Sequence, residues 1–529
     1  MPEYLAPGVY VEEVSSGAKP IEGVSTSTAG FVGLAERGPE SPQFITSWTE
    51  FQRIYGGYVP NQSYLAYAVE GFFINGGQRC FVTRVVAKDA KRAQKTINKL
   101  TIAAIGRGQA GAEITVTVAP ASQPNQQKLT VQYGEIVEVY DNLTHTAGAT
   151  NNIATTLNNA SNLVRAWWAK DQDPEKLKES TLDNNTGEYK GSPLGGKDLD
   201  GKLAVDMDAF VGYDTPVPLS VEVDTKGTPK DKTDDGTPVV TNAPNEEFGR
   251  SSGLMGLSLI DEIALLVVPD EVDETQFPNN ALTLKVVEQC QALKDRFAIV
   301  SAPQGAVGKV TDLRPPLDTT YAGFYFPWIK IFDPSINSMR LIPSTGHIAG
   351  IFARTDIERG VHKAPANEVV RGAVDLQAPV TKGMQDLLNP RHVNCMRDFR
   401  SDGRGIRLWG ARTMSSDPEW KYVNVRRLFM FVEESIDEGT QWVVFEPNDD
   451  ATWAKIRRVV TDFLISVWRS GALMGLTQDE AFFVRCDRTT MTQNDIDNGR
   501  LVCVIGIAPV KPAEFVIFRI SQKTAEAPA

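Results

Sequence analysis

The two ends of this 529-residue chain constrain its fold most. Residues 8–14 read Gly-Val-Tyr-Val-Glu-Glu-Val and residues 514–520 read Glu-Phe-Val-Ile-Phe-Arg-Ile. Both are rich in β-branched and aromatic residues, so both are strand-like. In the first run Val9 and Val11 share one face and Tyr10 and Glu12 the other, with Gly8, Glu13 and Val14 at its margins. In the last run, after Glu514, Phe515, Ile517 and Arg519 alternate with Val516, Phe518 and Ile520, so both faces are apolar. A strand apolar on both faces is expected to be buried. Neither run has a partner beside it in sequence. A Gly/Ser/Thr-rich tether, Ser15–Thr28, follows the first. Pro509 and Pro512 separate the last from an apolar run at Leu501–Ile507 and prevent a tight continuous hairpin. A terminal strand on a loose tether can complete a neighbouring subunit's sheet. Each backbone hydrogen bond so made contributes roughly 0.5–1.5 kcal/mol. Joining unlike surfaces head to tail produces rings or open helices.

The length between these ends exceeds one ordinary core and predicts about two or three domains. The net charge of −12 is uneven. Residues 171–250 hold 18 Asp and Glu against 9 Lys and Arg, a net of −9, so the remainder is near neutral. That balance argues against a nucleic-acid partner, which needs a basic surface. Met1–Gly8 has no basic start and no apolar stretch, and is not read as a signal peptide. The longest apolar run, Ile263–Val268, is too short to insert in a membrane. Five scattered cysteines, Cys80, Cys290, Cys395, Cys486 and Cys503, are read as reduced core residues of a protein made in a cytosol.

Periodicity predicts a strand at 29–34, a helix over Ser63–Asn75 closed by Gly76-Gly77, and a strand at Cys80–Val86. From about 100 to 145 the period becomes 2, with alternating runs around Ile114–Val118, Lys128–Tyr133 and Glu135–Tyr140. This predicts a β-rich inserted domain, followed by acidic surface loops over 171–250. Ile263–Val268, a helix over about 279–295 and Phe297–Ser301 then suggest a βαβ unit on a parallel pair. The clearest helix is Thr452–Arg469, with an apolar face, a cap at Asn448 or Asp449 and a stop at Gly471. Lys455, Arg458, Asp462 and Arg469 fall near one stripe opposite that face, and Arg457 adds to the basic group. The stripe is either a solvated face or a contact for an acidic partner. Arg426-Arg427 is a smaller basic group of the kind that usually stays wet.

Chemical motifs fail in context. Gly106–Gly111 matches G-x-G-x-x-G but precedes an alternating strand, so a hairpin turn is expected in place of a phosphate-holding helix. Gly249-Arg-Ser251-Ser-Gly253 matches G-x-S-x-G but follows a polar, proline-containing stretch where a nucleophile elbow needs a buried strand. The four histidines form no zinc pattern; His392 and Cys395 could share a helix face, but two ligands make no site. Asp198, Asp200, Asp206 and Asp208 miss the spacing of a calcium loop. No metal and no cofactor is expected.

Further runs carry a resemblance. They are Pro7–Glu13, Ile21–Gly33, Trp48–Phe51, Phe72–Gly77, Tyr325–Trp328, Pro343–Gly350, Ala353–Asp356 and Arg359–Asn367. Leu388-Asn389, Trp409–Thr413, Val425–Arg427, Phe445–Asn448, Gly471–Gly475, Ala508-Pro509 and Pro512–Phe515 continue them. On these residues the chain resembles the contractile tail sheath family of phages, R-type bacteriocins and extracellular injection systems. It departs at His362, where the family often has Trp, and at Pro343–Gly346, where the family has a Pro-Pro-Ser-Gly turn.

The resemblance implies a mixed α/β fold, with a sheath core built from N- and C-terminal parts, an inserted β-rich outer domain and extended terminal arms. The expected boundaries are an arm and linker at 1–28, core at 29–99, insert at 100–250, α/β sheath domain at 251–380, C-terminal core at 381–508 and a second arm at 509–529. It implies stacked hexameric rings around an inner tube protein, with baseplate and tail terminator proteins as further partners and no membrane insertion. It also implies assembly in a bacterial cytoplasm into a phage tail or tail-like particle, possible release outside the cell, and contraction that drives the tube through a target envelope. The two arms would join a neighbour's C-terminal sheet, and Thr452–Arg469 would face the tube. The competing reading is an α/β hydrolase or nucleotide-binding enzyme using Ser251 or the Gly106–Gly111 turn.

Overall fold

The computed structural model describes residues 20–59, 63–86, 90, 92–97, 100–146, 148–168, 252–273 and 277–520. These fall into two compact units, one of residues 25–358 with 364–423, the other of 20–24, 359–363 and 424–520.

The larger unit is a mixed α/β body on a nine-stranded sheet. In chain order β1 (Ala29–Gly33), β2 (Gln43–Ile45) and β3 (Cys80–Arg84) come first. An insert supplies β4 (Gln94–Ile97), β5 (Leu100–Ala104), β6 (Thr115–Pro120), β7 (Gln127–Tyr133), β8 (Ile136–Leu143) and β9 (Val164–Trp168). The chain returns with β10 (Leu265–Val267), β11 (Phe297–Ser301), β12 (Ala322–Phe326), β13 (Ile329–Asp333) and β14 (Ser338–Ile342). Then follow β15 (Glu368–Val369), β16 (Asp375–Leu376), β17 (Val393–Phe399) and β18 (Gly405–Leu408).

The sheet order is β15-β18-β17-β12-β11-β10-β1-β3-β2. The six strands from β17 to β3 run parallel, and antiparallel strands close both edges. Every residue of β1, β10, β11 and β12 is buried. This is why they read as unbroken apolar runs: a parallel sheet is covered on both faces. The expected βαβ unit is β10, helix α2 (Ala281–Leu293) and β11, in parallel register from Leu265↔Phe297. β17 and β18 pair into this sheet, and the long C-terminal stretch of the second unit starts at Asn424.

Helix α1 (Leu65–Ile74) occupies the expected stretch and ends at Gly76, whose φ is +105°. It crosses helix α3 (Thr345–Arg359), which periodicity alone did not reveal because its residues 345–355 are buried all round. The crossing is very close. A Cβ added at Gly346 would lie 2.2 Å from the Ala68 carbonyl oxygen, and one at Gly350 2.4 Å from that of Phe72. In return His347 fills the space beside Gly71, 2.2 Å from where a Cβ would sit. Burial pushes the His347 imidazole down to about 4, so it is a neutral core group. The run Gly346–Gly350 is therefore a packing motif.

Buried charges tie the loops down. Arg296, fully buried, donates to the carbonyls of Leu257 (2.9 Å) and Ile260 (3.0 Å) and pairs with Asp295. The Asp270 carboxylate accepts from Ser63 Oγ (2.8 Å) and the Tyr64 amide (2.7 Å) at the start of α1.

The insert forms two three-stranded sheets, β4-β5-β9 and β6-β7-β8, around a core of Ile102, Val116, Leu129, Val131, Ile153 and Val164. The Gly106–Gly111 segment between them is not a hairpin turn. It leads into one helical turn, Ala110–Glu113. Gly106 has no side chain because a Cβ would fall 2.0 Å from the Gly38 carbonyl oxygen and 2.6 Å from an Arg84 guanidinium nitrogen. That guanidinium donates to the carbonyls of Ala35, Gly38 and Arg107. The approach a pyrophosphate would need is filled by the chain itself. Gly249, Arg250 and Ser251, the acidic stretch 171–250 and the arm Gly8–Val14 lie outside the described residues.

Candidate assembly surfaces

The second unit is built on two helices and a small sheet. Helix α4 (Val423–Thr440) and helix α5 (Asp450–Arg469) are joined by a short connection. The amphipathic period seen in sequence becomes the packed face of α5: Ile456, Val459, Val460, Phe463, Leu464 and Val467 are buried with Leu428 and Val432 of α4. The helix starts two residues before the expected Thr452. Its cap is Asp449, which accepts from the Thr452 amide at 2.9 Å, and this bond holds its carboxyl below the usual carboxylate range. Asn448 instead accepts from Trp453 Nε1 at 2.8 Å and donates to the Arg500 carbonyl.

Arg426 and Arg427 are not a wet group. Both are buried, and Arg426 pairs with Glu433 at 2.9 Å. The tether expected up to Thr28 also stops sooner. Ile21 is buried and packs where Gly439 of α4 has no Cβ, and the Val24 amide donates to Ser435 Oγ at 3.1 Å.

Two strands follow, β19 (Phe482–Arg485) and β20 (Val504–Ile507), antiparallel from Phe482↔Ile507 to Arg485↔Val504. The second starts three residues later than the apolar run Leu501–Ile507 suggested. Among the described residues neither pairs with any other strand, so each leaves one open edge. Phe483 lays its ring over the facing Gly506, filling the space a side chain would take. Beyond β20 the backbone stays anchored through Val510, whose amide donates to the Ala472 carbonyl at 3.1 Å.

From Lys511 to Ile520 no residue belongs to a strand or helix. The burial expected for a two-faced apolar run is not found among the described residues. Glu514 is half-buried and Arg519 exposed, while Phe515, Val516, Ile517, Phe518 and Ile520 are 69–95% exposed. The physical reason is that a strand needs an edge to pair with, and among the described residues no strand pairs with this segment.

The five charged residues expected on the α5 surface do different things. Arg458 and Asp462 are exposed and lie 4.0 Å apart, and Arg469 is exposed in the last turn. Lys455 sits 4.0 Å over the Trp442 ring. Arg457, which the basic group includes but the stripe does not, donates to the Cys486 carbonyl. His392 and Cys395 share no helix: one ends a 3₁₀ turn with φ +63° and the other lies in β17. Among the described residues no cluster of three metal-ligating side chains occurs, and no helix is long and apolar enough to cross a membrane.

Two family descriptions match the chain, "Phage tail sheath protein central domain" over residues 259–414 and "Phage tail sheath C-terminal domain" over 415–523. The tail sheath protein of Escherichia phage P2 is 25% identical over 331 residues, covering 60% of this chain and 80% of that one. A prophage major tail sheath protein of Pseudomonas aeruginosa (strain UCBPP-PA14) is 29% identical over 201 residues, 37% of this chain, and the match spans only about half (49%) of that relative. The helical sheath of the anti-feeding prophage in its contracted state has the same fold at TM-score 0.56 and 22% identity, covering 98% and 99% of the two chains. The sheath of an extracellular contractile injection system, also contracted, does so at TM-score 0.55 and 22% identity, covering 99% of each. With its sheet order, its two-helix C-terminal unit and these matches, the chain belongs to the contractile tail sheath family.

Proposed function

We propose that this chain is the structural subunit of a contractile sheath, polymerising into stacked hexameric rings around an inner tube and shortening to drive that tube through a target envelope. The observation that carries the reading is the exposed apolar run Phe515–Ile520, in a unit whose sheet β19–β20 is paired at neither outer edge among the described residues. Donor and acceptor are thus both present on one chain, which is the requirement for a head-to-tail polymer. The arms Gly8–Val14 and Glu514–Ile520 each supply a strand to a neighbour's β19–β20 sheet. The pairing holds while subunits slide, and the work comes from the difference between two packings. Arg458, Asp462 and Arg469 on the outer face of α5 meet the tube, while Lys455 is shared with Trp442. Baseplate and terminator proteins close the two ends of the stack, and the particle is assembled in a bacterial cytoplasm.

The test is truncation. Full-length chain should form tubes or ring stacks visible by negative-stain microscopy. Chains lacking residues 1–14 or 514–529 should be folded monomers by light scattering and circular dichroism. Normal polymerisation of either truncated chain would end the arm model.

A further inference from the structure

The second unit holds two thiols with no role in strand pairing. Cys486 directly follows β19 and Cys503 directly precedes β20. The ladder ends at Arg485↔Val504, so one more antiparallel step sets Cys486 opposite Cys503. They share a small apolar cluster with Trp453, Met491, Ile496 and Leu501. Both are free; Cys486 is buried and Cys503 half-buried, so a dissolved oxidant reaches Cys503 first. The backbone beside them is held: Arg457 donates to the Cys486 carbonyl, and Thr490 Oγ1 donates to that of Val502 at 2.8 Å. Opposed residues of an antiparallel pair have Cβ atoms about 4.5–5.5 Å apart and a disulfide needs about 3.5–4.5 Å, so continuing the ladder by one step brings the pair close to bonding range.

We propose that Cys486 and Cys503 form a reversible disulfide that staples β19 to β20 once the protein leaves reducing surroundings. The oxidant is a low-molecular-weight disulfide. The Cys503 thiolate attacks one of its sulfurs and expels a thiolate. The Cys486 thiolate then attacks the mixed disulfide, forms the Cys486–Cys503 bond and expels the second. The two protein thiol protons end on the two expelled thiolates, and two electrons have reduced one reagent disulfide to two thiols. Burial, reinforced by the neighbouring Cys486, pushes the Cys503 thiol up to about 12. Closure is therefore slow at neutral pH and speeds up about tenfold per pH unit below that value. A two-stranded sheet is marginal alone. If it is the acceptor for the arms, as proposed above, the staple fixes the acceptor in the mature particle; that consequence rests on the assembly reading.

The experiment treats the full chain with oxidised glutathione at mildly alkaline pH. Intact mass, non-reducing peptide mapping and thermal melting are then read. The expected result is loss of the two thiol hydrogens, a linked Cys486–Cys503 peptide and a higher melting temperature that dithiothreitol reverses. Cys503→Ser should show neither the link nor the shift. Glutathione adducts on both cysteines without a link, a different cysteine pair, or a shift that persists in Cys503→Ser would overturn the proposal. The peptide map of the unaltered chain decides even if the variant misfolds. None of these readouts needs polymerisation, so the staple and the assembly reading fail separately.

Discussion

Two apolar runs of this protein, Phe297–Ser301 and Phe515–Ile520, have nearly the same character and opposite fates. The first is strand β11, paired on both edges by β10 and β12 and buried along its whole length. The second follows a sheet of only two strands and is exposed throughout. The difference lies in what the rest of the chain brings to each. Parallel neighbours and covering helices complete the first within one molecule. The second presents its backbone and both faces to whatever pairs with it. Burial is a property of a run and its partners together, and where the chain withholds the partners, another molecule has to supply them.

Identical substitutions in the two runs give the largest contrast. Ile299→Asp places a carboxylate in the closed core and should cost at least about 4 kcal/mol or prevent folding. Ile517→Asp should leave the monomer within about 0.5 kcal/mol by urea denaturation, yet stop polymerisation. An equal loss of monomer stability at both sites would break the comparison.

The α1–α3 crossing sharpens it next. Gly346→Val must push its side chain into the Ala68 backbone, so it should cost about 3 kcal/mol, read as a lowered melting temperature.

Buried acids test the larger unit through pH. Glu271 accepts from the Ser301 amide at 3.0 Å, and burial pushes its carboxyl up to about 8; burial raises neighbouring Asp270 to about 6. In the unfolded chain a glutamate titrates near about 4.3, so between these values the folded state holds the extra proton. The contribution of Glu271 to stability then falls as pH rises from about 4 to about 8, by on the order of 1 kcal/mol per unit at most, against the opposite slope of His347, whose lowered value makes stability rise up to about pH 6.5. Glu271→Gln should flatten that slope in urea denaturation measured across the range. A slope unchanged by the substitution would remove Glu271 as its source.

The smallest effect belongs to the α5 surface. Arg458 pairs with Asp462 at 4.0 Å in full solvent, which is worth at most about 1 kcal/mol. Arg458→Glu should leave the monomer within about 0.5 kcal/mol while weakening assembly around the tube, read by sedimentation of tube–sheath mixtures.

The predictable parts of the fold were those governed by local period and turn chemistry. The helix before Gly76-Gly77, the βαβ unit, the β-rich insert and the amphipathic face of α5 all follow from residues within about one or two turns of each other. Helix α3 was hidden because a helix buried all round has no polar face to reveal its period. Arg426-Arg427 misled because charge on its own does not say whether a Glu433 lies within reach.

By itself the amino-acid sequence determined that the centre is α/β and that the family is recognisable from runs such as Gly346–Gly350. Only the tertiary structure decided that those glycines serve a helix crossing, that Gly106 is filled by the Gly38 carbonyl, and that Arg457 reaches the Cys486 carbonyl. It also decided that Phe515–Ile520 is exposed among the described residues. The physical reason is the same in each case: periodicity tells which faces are apolar, but the neighbour that meets a face comes from residues far away in the chain, or from another chain.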